Sequence, residues 1–143
     1  MKELKNIIKY LNSYDVEAWI SGGTARDIFL DREYQEVHVS VRASFSTLNK
    51  LFKDRIKKLD KNGNYVSITY NENIFLLHPL TKIKLTNTYP SYIPTSDLED
   101  DAKSRDFTIN SLYYNPLTNS WIDYFGGQED CKNKIIKFIG NPQ

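Results

Sequence analysis

Cysteine is nearly missing from this sequence. Cys131 is the only one in 143 residues, which excludes an internal disulfide and suits a reducing compartment. An excess of either charge is missing as well. The net charge of +1 gives no global field, so nucleic-acid binding would need a local patch or a partner. Long apolar runs are absent. The opening stretch MKELKNIIKYLNSYD is amphipathic, neither a signal peptide nor a membrane span, and a cytoplasmic location without membrane contact is expected. Repeats and low-complexity tracts are also lacking. What remains is ordinary: 40% apolar and 26% charged residues suit a globular chain, and residues 1–143 read as one domain with one core.

Leu4, Ile7, Ile8 and Leu11 recur at helical spacing and predict a helix over 3–13. VEAWI reads as a strand ending at Gly22-Gly23, ARDIFL as a short helix and EVHVSV as a strand. Ser44 or Ser46 is expected to cap a helix through TLNKLFKDRIKKL, and DKNGN is a turn signal. YVSITY and NIFLLH flank NEN and predict a hairpin. Residues 79–94, rich in Thr, Tyr and Pro, read as a loop. SDLE fits a capping box, with Ser96 at the cap and Glu99 three residues on. A helix through LEDDAKSRDFTINSL, broken near Asp106, is expected to follow. LYY and SWIDYF around NPLTN predict a second hairpin, Gly126-Gly127 a last short helix, and IIKFI a final strand. The interspersed order predicts an α/β (α+β) fold, a small mixed sheet with helices packed against it.

Four segments could carry chemistry. Glycines between a strand and a helix let backbone N–H groups approach a phosphate, so Gly22-Gly23 is a candidate, with Arg26 one turn on. On pattern alone a tight strand-to-helix turn beside a surface arginine is the slightly favoured explanation of the same residues. Period-two alternation puts Glu36 and His38 on one strand face and Val37, Val39 and Val41 on the other. The polar pair is either a ligand pair or a solvent-facing edge. His78 ends NIFLLH and would be a third metal ligand if that strand lies alongside. Arg105 and Asp106 could read a ribose or a phosphate, or simply decorate a solvated helix. The tyrosines, Tyr10, Tyr65, Tyr70, Tyr113, Tyr114 and Tyr124, read as half-buried sheet residues rather than a base-stacking platform.

Taken in order, the GGxxRD turn, the Glu-x-His strand, RDFTIN, IDYFGG and NKIIKFIGNP resemble the head domain of class II tRNA nucleotidyltransferases (CCA-adding enzymes) and bacterial poly(A) polymerases. The resemblance runs from Trp19 to Pro142. It implies a polymerase-β-like nucleotidyltransferase core. It also implies that Gly22, Gly23 and Arg26 sit where a nucleoside triphosphate is bound, and that Arg105 and Asp106 match the ribose-contacting motif. Asp27 and Asn110 complete the implied nucleotide-binding set, or are kept for the fold alone. Glu36 and His38 stand at the positions of two aspartates that hold two Mg2+ ions. The family reaction is attack of an RNA 3′-hydroxyl on the α-phosphate of ATP or CTP, with release of pyrophosphate.

The departures from the pattern point away from that reaction. Magnesium demands near-octahedral oxygen coordination at ~2.0–2.1 Å. Glu36 pushes its carboxylate one methylene further out, and His38 offers a neutral nitrogen. Losing the shared ligands of a two-metal site should cost ~10³-fold or more in rate, at about 1.36 kcal/mol per decade. IFLLHPL contains no carboxylate, and the family's paired arginines are here Ser104 and Arg105. The neck, body and tail domains that select the base and hold tRNA are expected to be absent from 1–143. The favoured expectation is a stand-alone head domain, catalytically inactive or strongly impaired, that keeps a nucleotide pocket or a protein-contact role. The alternative is an active divergent enzyme adding nucleotides from ATP or CTP to RNA 3′ ends, completed by a separate chain. A relic without selected function is the third. The expected metal is none, or Mn2+ or Zn2+ held by Glu36, His38 and His78. Expected partners are ATP or CTP, weakly bound RNA or tRNA, and a second copy or another protein at the apolar run 135–139.

Overall fold

Leu4, Ile7, Ile8 and Leu11 are fully buried along one side of α1 (Lys2–Ser13), as their spacing predicts. In the computed structural model of the chain, residues 1–60, 64–85 and 91–139 are described. Helix α1 covers one face of a mixed sheet. Its strands are β1 (Ala18–Ser21), β2 (Val37–Val41), β3 (Ile56–Asp60), β4 (Tyr65–Tyr70), β5 (Asn73–Pro79), β8 (Leu112–Asn115) and β9 (Ser120–Asp123). Their order is β3-β4-β5-β2-β1-β8-β9. The β2–β5 pair is parallel and the other pairs are antiparallel. The mixed α/β architecture expected from the sequence is therefore present.

Alternation along the strands builds two cores. Val37, Val39, Val41, Val66, Ile68, Phe75 and Leu77 face α1 and α3 (Phe45–Phe52) in the larger one. Trp19 and Tyr113 face the other way and pack with Leu80, Leu98 and Ala102 of α4 (Leu98–Lys103) in the smaller one. Helix α2 (Gly22–Phe29) follows β1 directly, and α5 (Gly127–Lys132) starts at the second Gly-Gly pair. Among the described residues no helix is long and apolar enough to cross a membrane.

Several local expectations are corrected. The helix expected through TLNKLFKDRIKKL stops at Phe52. Lys53 takes a left-handed φ of +32°, a 3-10 turn spans Lys53–Arg55, and Ile56–Asp60 become β3. Pairing with β4, with Lys58 opposite Ser67, outweighs local helix propensity there. Ser44 is the cap, not Ser46: its Oγ accepts from the Thr47 N–H at 3.2 Å. Residues 79–94 are not simply a loop, because β6 (Thr81–Lys84) and β7 (Ser91–Pro94) form a second small antiparallel sheet. Pro94 sits at its end, where a missing N–H costs least. The cap of α4 is Asp97 rather than Ser96, with Asp97 Oδ1 accepting from the Glu99 N–H at 2.9 Å. Residues 61–63 of the DKNGN turn lie outside the described residues. IIKFI forms no strand. It makes one bridge, Phe107 to Phe138, and leaves Ile135, Ile136 and Phe138 exposed. An apolar run of this kind becomes a stable strand only when both of its faces are covered.

Candidate functional site

Gly22 sits at the β1–α2 junction with φ +58°, a left-handed conformation that glycine adopts without strain. Thr24, on the first turn of α2, is buried and clamps the neighbouring strand. Its Oγ1 donates to the Glu36 carbonyl and accepts from the His38 N–H, both at 2.9 Å. The helix and the start of β2 are thereby fixed together. The Glu36 side chain points outward, 70% exposed, while the His38 side chain is 31% exposed.

The parallel register of β2 and β5 sets Ser40 beside His78. His38 and His78 therefore share a sheet face, as the alignment of the two strands required. Their rings stack at 25°, and His38 Nδ1 and His78 Nε2 are hydrogen-bonded at 2.9 Å. Burial pushes the His78 imidazole down to about 3, helped by His38 and Arg105 and opposed by a hydrogen bond with the Asn64 backbone. Burial also lowers His38, against the pull of Glu36 and with the push of Arg105. Both rings are thus neutral at pH 7, and the pair shares one proton between the facing nitrogens.

A neutral buried histidine has a consequence for stability. The folded His78 stays unprotonated well below 6.5, whereas the unfolded chain takes up a proton there. Its contribution is full above pH 6.5 and is lost as pH falls toward 3, at up to ~1.4 kcal/mol per pH unit. Thermal unfolding followed from pH 7 to pH 5, above the carboxylate range, should show this loss. His78→Gln should flatten the profile, and an unchanged profile would refute the assignment.

These residues do not fit magnesium. Among the described residues Glu36 is the carboxylate in ion-pair reach of the imidazole pair, its Oε2 3.5 Å from His38 Nε2. Among the described residues no group of three or more His, Cys, Asp or Glu is arranged to hold a metal. A nitrogen-tolerant ion shared by His38 and His78 would have to break their hydrogen bond first.

Two arginines close the other side of the site. Arg105 places four of its five N–H donors inside the protein. Nε donates to the Tyr113 hydroxyl at 3.3 Å and Nη1 to the Asn110 carbonyl at 3.3 Å. Nη2 donates to Ser40 Oγ at 2.9 Å and to Asp101 Oδ2 at 3.2 Å. Ser40 Oγ in turn donates to Ser21 Oγ at 2.7 Å, and the Tyr113 hydroxyl donates to Asp101 Oδ2 at 2.6 Å. Arg26 donates from Nε to Asp27 Oδ1 at 3.2 Å and from Nη1 to Asn110 Oδ1 at 3.0 Å. Its Nη2 leans on Gly23, where a Cβ would lie 3.3 Å away. Asn110 therefore holds both guanidinium groups, one by its side chain and one by its backbone. Asp106 is exposed, with Oδ1 accepting from the Phe107 N–H at 2.8 Å. Ser104 donates to the Asp101 carbonyl at 2.6 Å.

The structure thus brings Gly22, Gly23, His38, His78, Arg105, Asp106 and Asn110 to one cleft of about 260 Å³, with Ser21 in its wall. Arg26 and Asp27 stand behind it, joined through Asn110. Across the imidazole pair lies a larger cleft of about 890 Å³, whose lining includes Glu3, Glu36, Lys58 and Glu72. Sequence reasoning missed Thr24, Ser40, Asp101 and Tyr113. Asp101 was readable four residues before Arg105 in the helix the sequence predicts there, and Ser40 by alternation from His38. Nothing local singles out Thr24.

Comparison with known proteins gives a consistent result. The chain is 30% identical to the CCA-adding enzyme of Lactobacillus helveticus, covering 96% of this chain and 35% of that protein. It is 30% identical to poly(A) polymerase I of Escherichia coli, covering 93% and 31% respectively. It spans about a third of the length of the curated relatives it matches. The crystal structure of the Bacillus stearothermophilus CCA-adding enzyme in complex with CTP superposes with a TM-score of 0.81 over 97% of this chain and 33% of that one, at 24% identity, a likeness of fold. Residues 18–137 match the poly A polymerase head domain, and the chain belongs to that family.

Proposed function

We propose that this chain is a nucleotidyltransferase head that keeps a nucleotide-facing pocket and has lost, or nearly lost, catalysis. The observation that carries this reading is the hydrogen-bonded, neutral His38–His78 pair, with Glu36 the carboxylate 3.5 Å from it among the described residues. In a two-metal reaction, paired oxygens at this place supply the charge that polarises the attacking and leaving groups. An imidazole pair bonded to itself offers neither the charge nor the coordination. The proposed pocket consists of Gly22, Gly23, Arg26, Asp27, Arg105, Asp106 and Asn110, which orient a ligand through backbone N–H groups, the Arg26 donors and the Asp106 carboxylate.

Relatives give the ligand class its context: one solved CCA-adding enzyme holds CTP, and one tRNA nucleotidyltransferase holds a primer tRNA and an ATP analogue. RNA binding by this chain alone should be weak, because its net charge is +1 and it spans a third of those proteins. The test is incorporation of labelled ATP or CTP into tRNA lacking its 3′ end, with magnesium and with manganese. No incorporation above a Glu36→Ala/His38→Ala control is expected. Metal-dependent incorporation well above that control would favour the second reading, a divergent enzyme using Glu36 and His38 and completed by another chain. That reading draws support from the openness of Glu36 Oε2 and His38 Nε2 to the larger cleft.

A protein-contact role is supported by the exposed side chains of Ile135, Ile136 and Phe138. Sedimentation over a concentration series should show self-association that Ile136→Ser weakens. A strict monomer at high concentration would argue against a second copy there.

A further inference from the structure

We infer that the larger cleft, across the imidazole pair from Gly22 and Gly23, takes a linear aliphatic polyamine, whether or not the Gly22–Gly23 pocket holds a nucleotide. At about 890 Å³ the cleft falls within the ~300–1,000 Å³ usual for small-molecule sites. Its floor is one face of β4, β5 and β2. Alternation sends Val66, Ile68, Phe75 and Leu77 into the core and leaves Ser67, Ile74 and Leu76 on the cleft side. Ile74 is 48% exposed there, and half-buried Tyr34 and Tyr65 add aromatic surface. The floor therefore favours an occupant with an apolar body.

Charge selects that occupant. Glu3, Glu36 and Glu72 line the cleft against one lysine, Lys58. Glu3 is bridged to the N-terminal ammonium at 3.3 Å and Lys58 to Asp60 at 3.6 Å, so counting those partners leaves the same excess of two negative charges. At pH 8 the imidazoles of the wall do not alter the balance, because histidine ordinarily titrates near ~6.5. Among the described residues neither Glu36 nor Glu72 is bridged to a lysine or an arginine. Glu36 directly precedes β2 and Glu72 directly precedes β5, and the parallel register sets Val37 beside Phe75. Continued one residue back, that register sets Glu36 beside Ile74, which follows Glu72 by two positions. Two ammonium groups joined by a short methylene chain therefore meet both carboxylates while the chain covers Ile74. Tyr34 and Tyr65 suit the same ligand, since ring faces attract ammonium groups. A hard divalent ion would need roughly six oxygens and gains nothing from an apolar floor. A basic peptide would need backbone partners, and β4, β5 and β2 are interior strands whose ladders are already filled.

The experiment is a calorimetric titration of the whole chain with spermidine and with putrescine, at pH 8 in EDTA, at low and at physiological salt. Spermidine should bind, and its affinity should fall as salt is raised. Glu72→Gln, at an exposed side chain, should weaken it about 3–5-fold. Ile74→Ser leaves every charge in place and should weaken it about three-fold. Putrescine, which carries the charge of Mg2+, should bind about ten-fold more tightly than Mg2+ titrated without EDTA. Mg2+ binding as tightly as putrescine, or Ile74→Ser without effect, would reduce the cleft to a patch of negative charge and overturn the inference. Acetyl-trilysine amide, equal in charge to spermidine, would overturn it by binding more tightly, since the cleft would then be a peptide site. Absence of spermidine binding at millimolar concentration in low salt would overturn it outright.

Discussion

Gly127→Ala should destabilise the protein by about 3 kcal/mol, the upper end of what overpacking costs. A Cβ at Gly127 would lie 2.2 Å from the Thr108 carbonyl oxygen, 2.9 Å from its carbon and 3.1 Å from Leu112 Cδ2. The first two are backbone atoms, so no rotamer change relieves the clash. Relief requires α5 to move off the 3-10 turn Thr108–Asn110, which breaks the buried Thr108–Asp130 bond at 2.6 Å. That turn also carries Asn110, the residue between the two arginines, so ligand binding should weaken together with stability. Thermal unfolding should shift down by about 10 °C, at ~3 °C per kcal/mol for a chain of this size. Gly126→Ala is the control: φ there is +75° but nothing lies within 4 Å, so only the left-handed backbone cost of ~1–2 kcal/mol applies. Equal effects of the two substitutions would refute the steric account.

Asp101→Ala should cost about 3–5 kcal/mol, the range for breaking a buried ion pair from one side. Asp101 is 5% exposed and accepts from three groups: the Thr81 N–H at 2.9 Å, the Tyr113 hydroxyl at 2.6 Å and Arg105 Nη2 at 3.2 Å. Removing it leaves a mostly buried guanidinium without its counter-charge and orphans two more donors. Arg105→Met in the same background removes the stranded charge. The double variant should therefore be more stable than the sum of the single costs implies, by more than ~0.5 kcal/mol, the scatter of independent sites. Chemical denaturation of the four proteins of this cycle gives the coupling. Strict additivity would mean that Asp101 and Arg105 act independently, contrary to the geometry.

Much of the fold was legible because its cues are local. The alternation of EVHVSV placed Val37, Val39 and Val41 in the core and His38 on the opposite face. NEN and NPLTN marked the two hairpins through their turn chemistry, and Asn71, Glu72 and Asn119 do take positive φ there. The family motifs marked the Gly-Gly turn and the RDFTIN segment. The errors came where pairing with the next strand outbids a helix or loop preference: Ile56–Asp60 pair with β4, and Thr81–Lys84 pair with Ser91–Pro94. IIKFI failed for the converse reason, since one bridge to Phe107 is too little partner for an apolar pattern to become a strand.

The site divides along the same line. The sequence by itself determined which residue types occupy it: glycines at a strand–helix junction, one glutamate and one histidine two positions apart on a strand, and Arg105-Asp106 after an acidic helix. Residue identity and spacing carry that information within a few positions of each other. Only the tertiary structure decided what those residues are free to do. The β2–β5 register joins His38 to His78 across 40 positions, and Arg105 reaches Ser40 across 65. Hydrogen-bond donors and charges are finite, and a group spent on a partner far along the chain is no longer available to a ligand. That allocation is settled by which strands lie side by side, a property of the folded sheet rather than of any stretch of sequence.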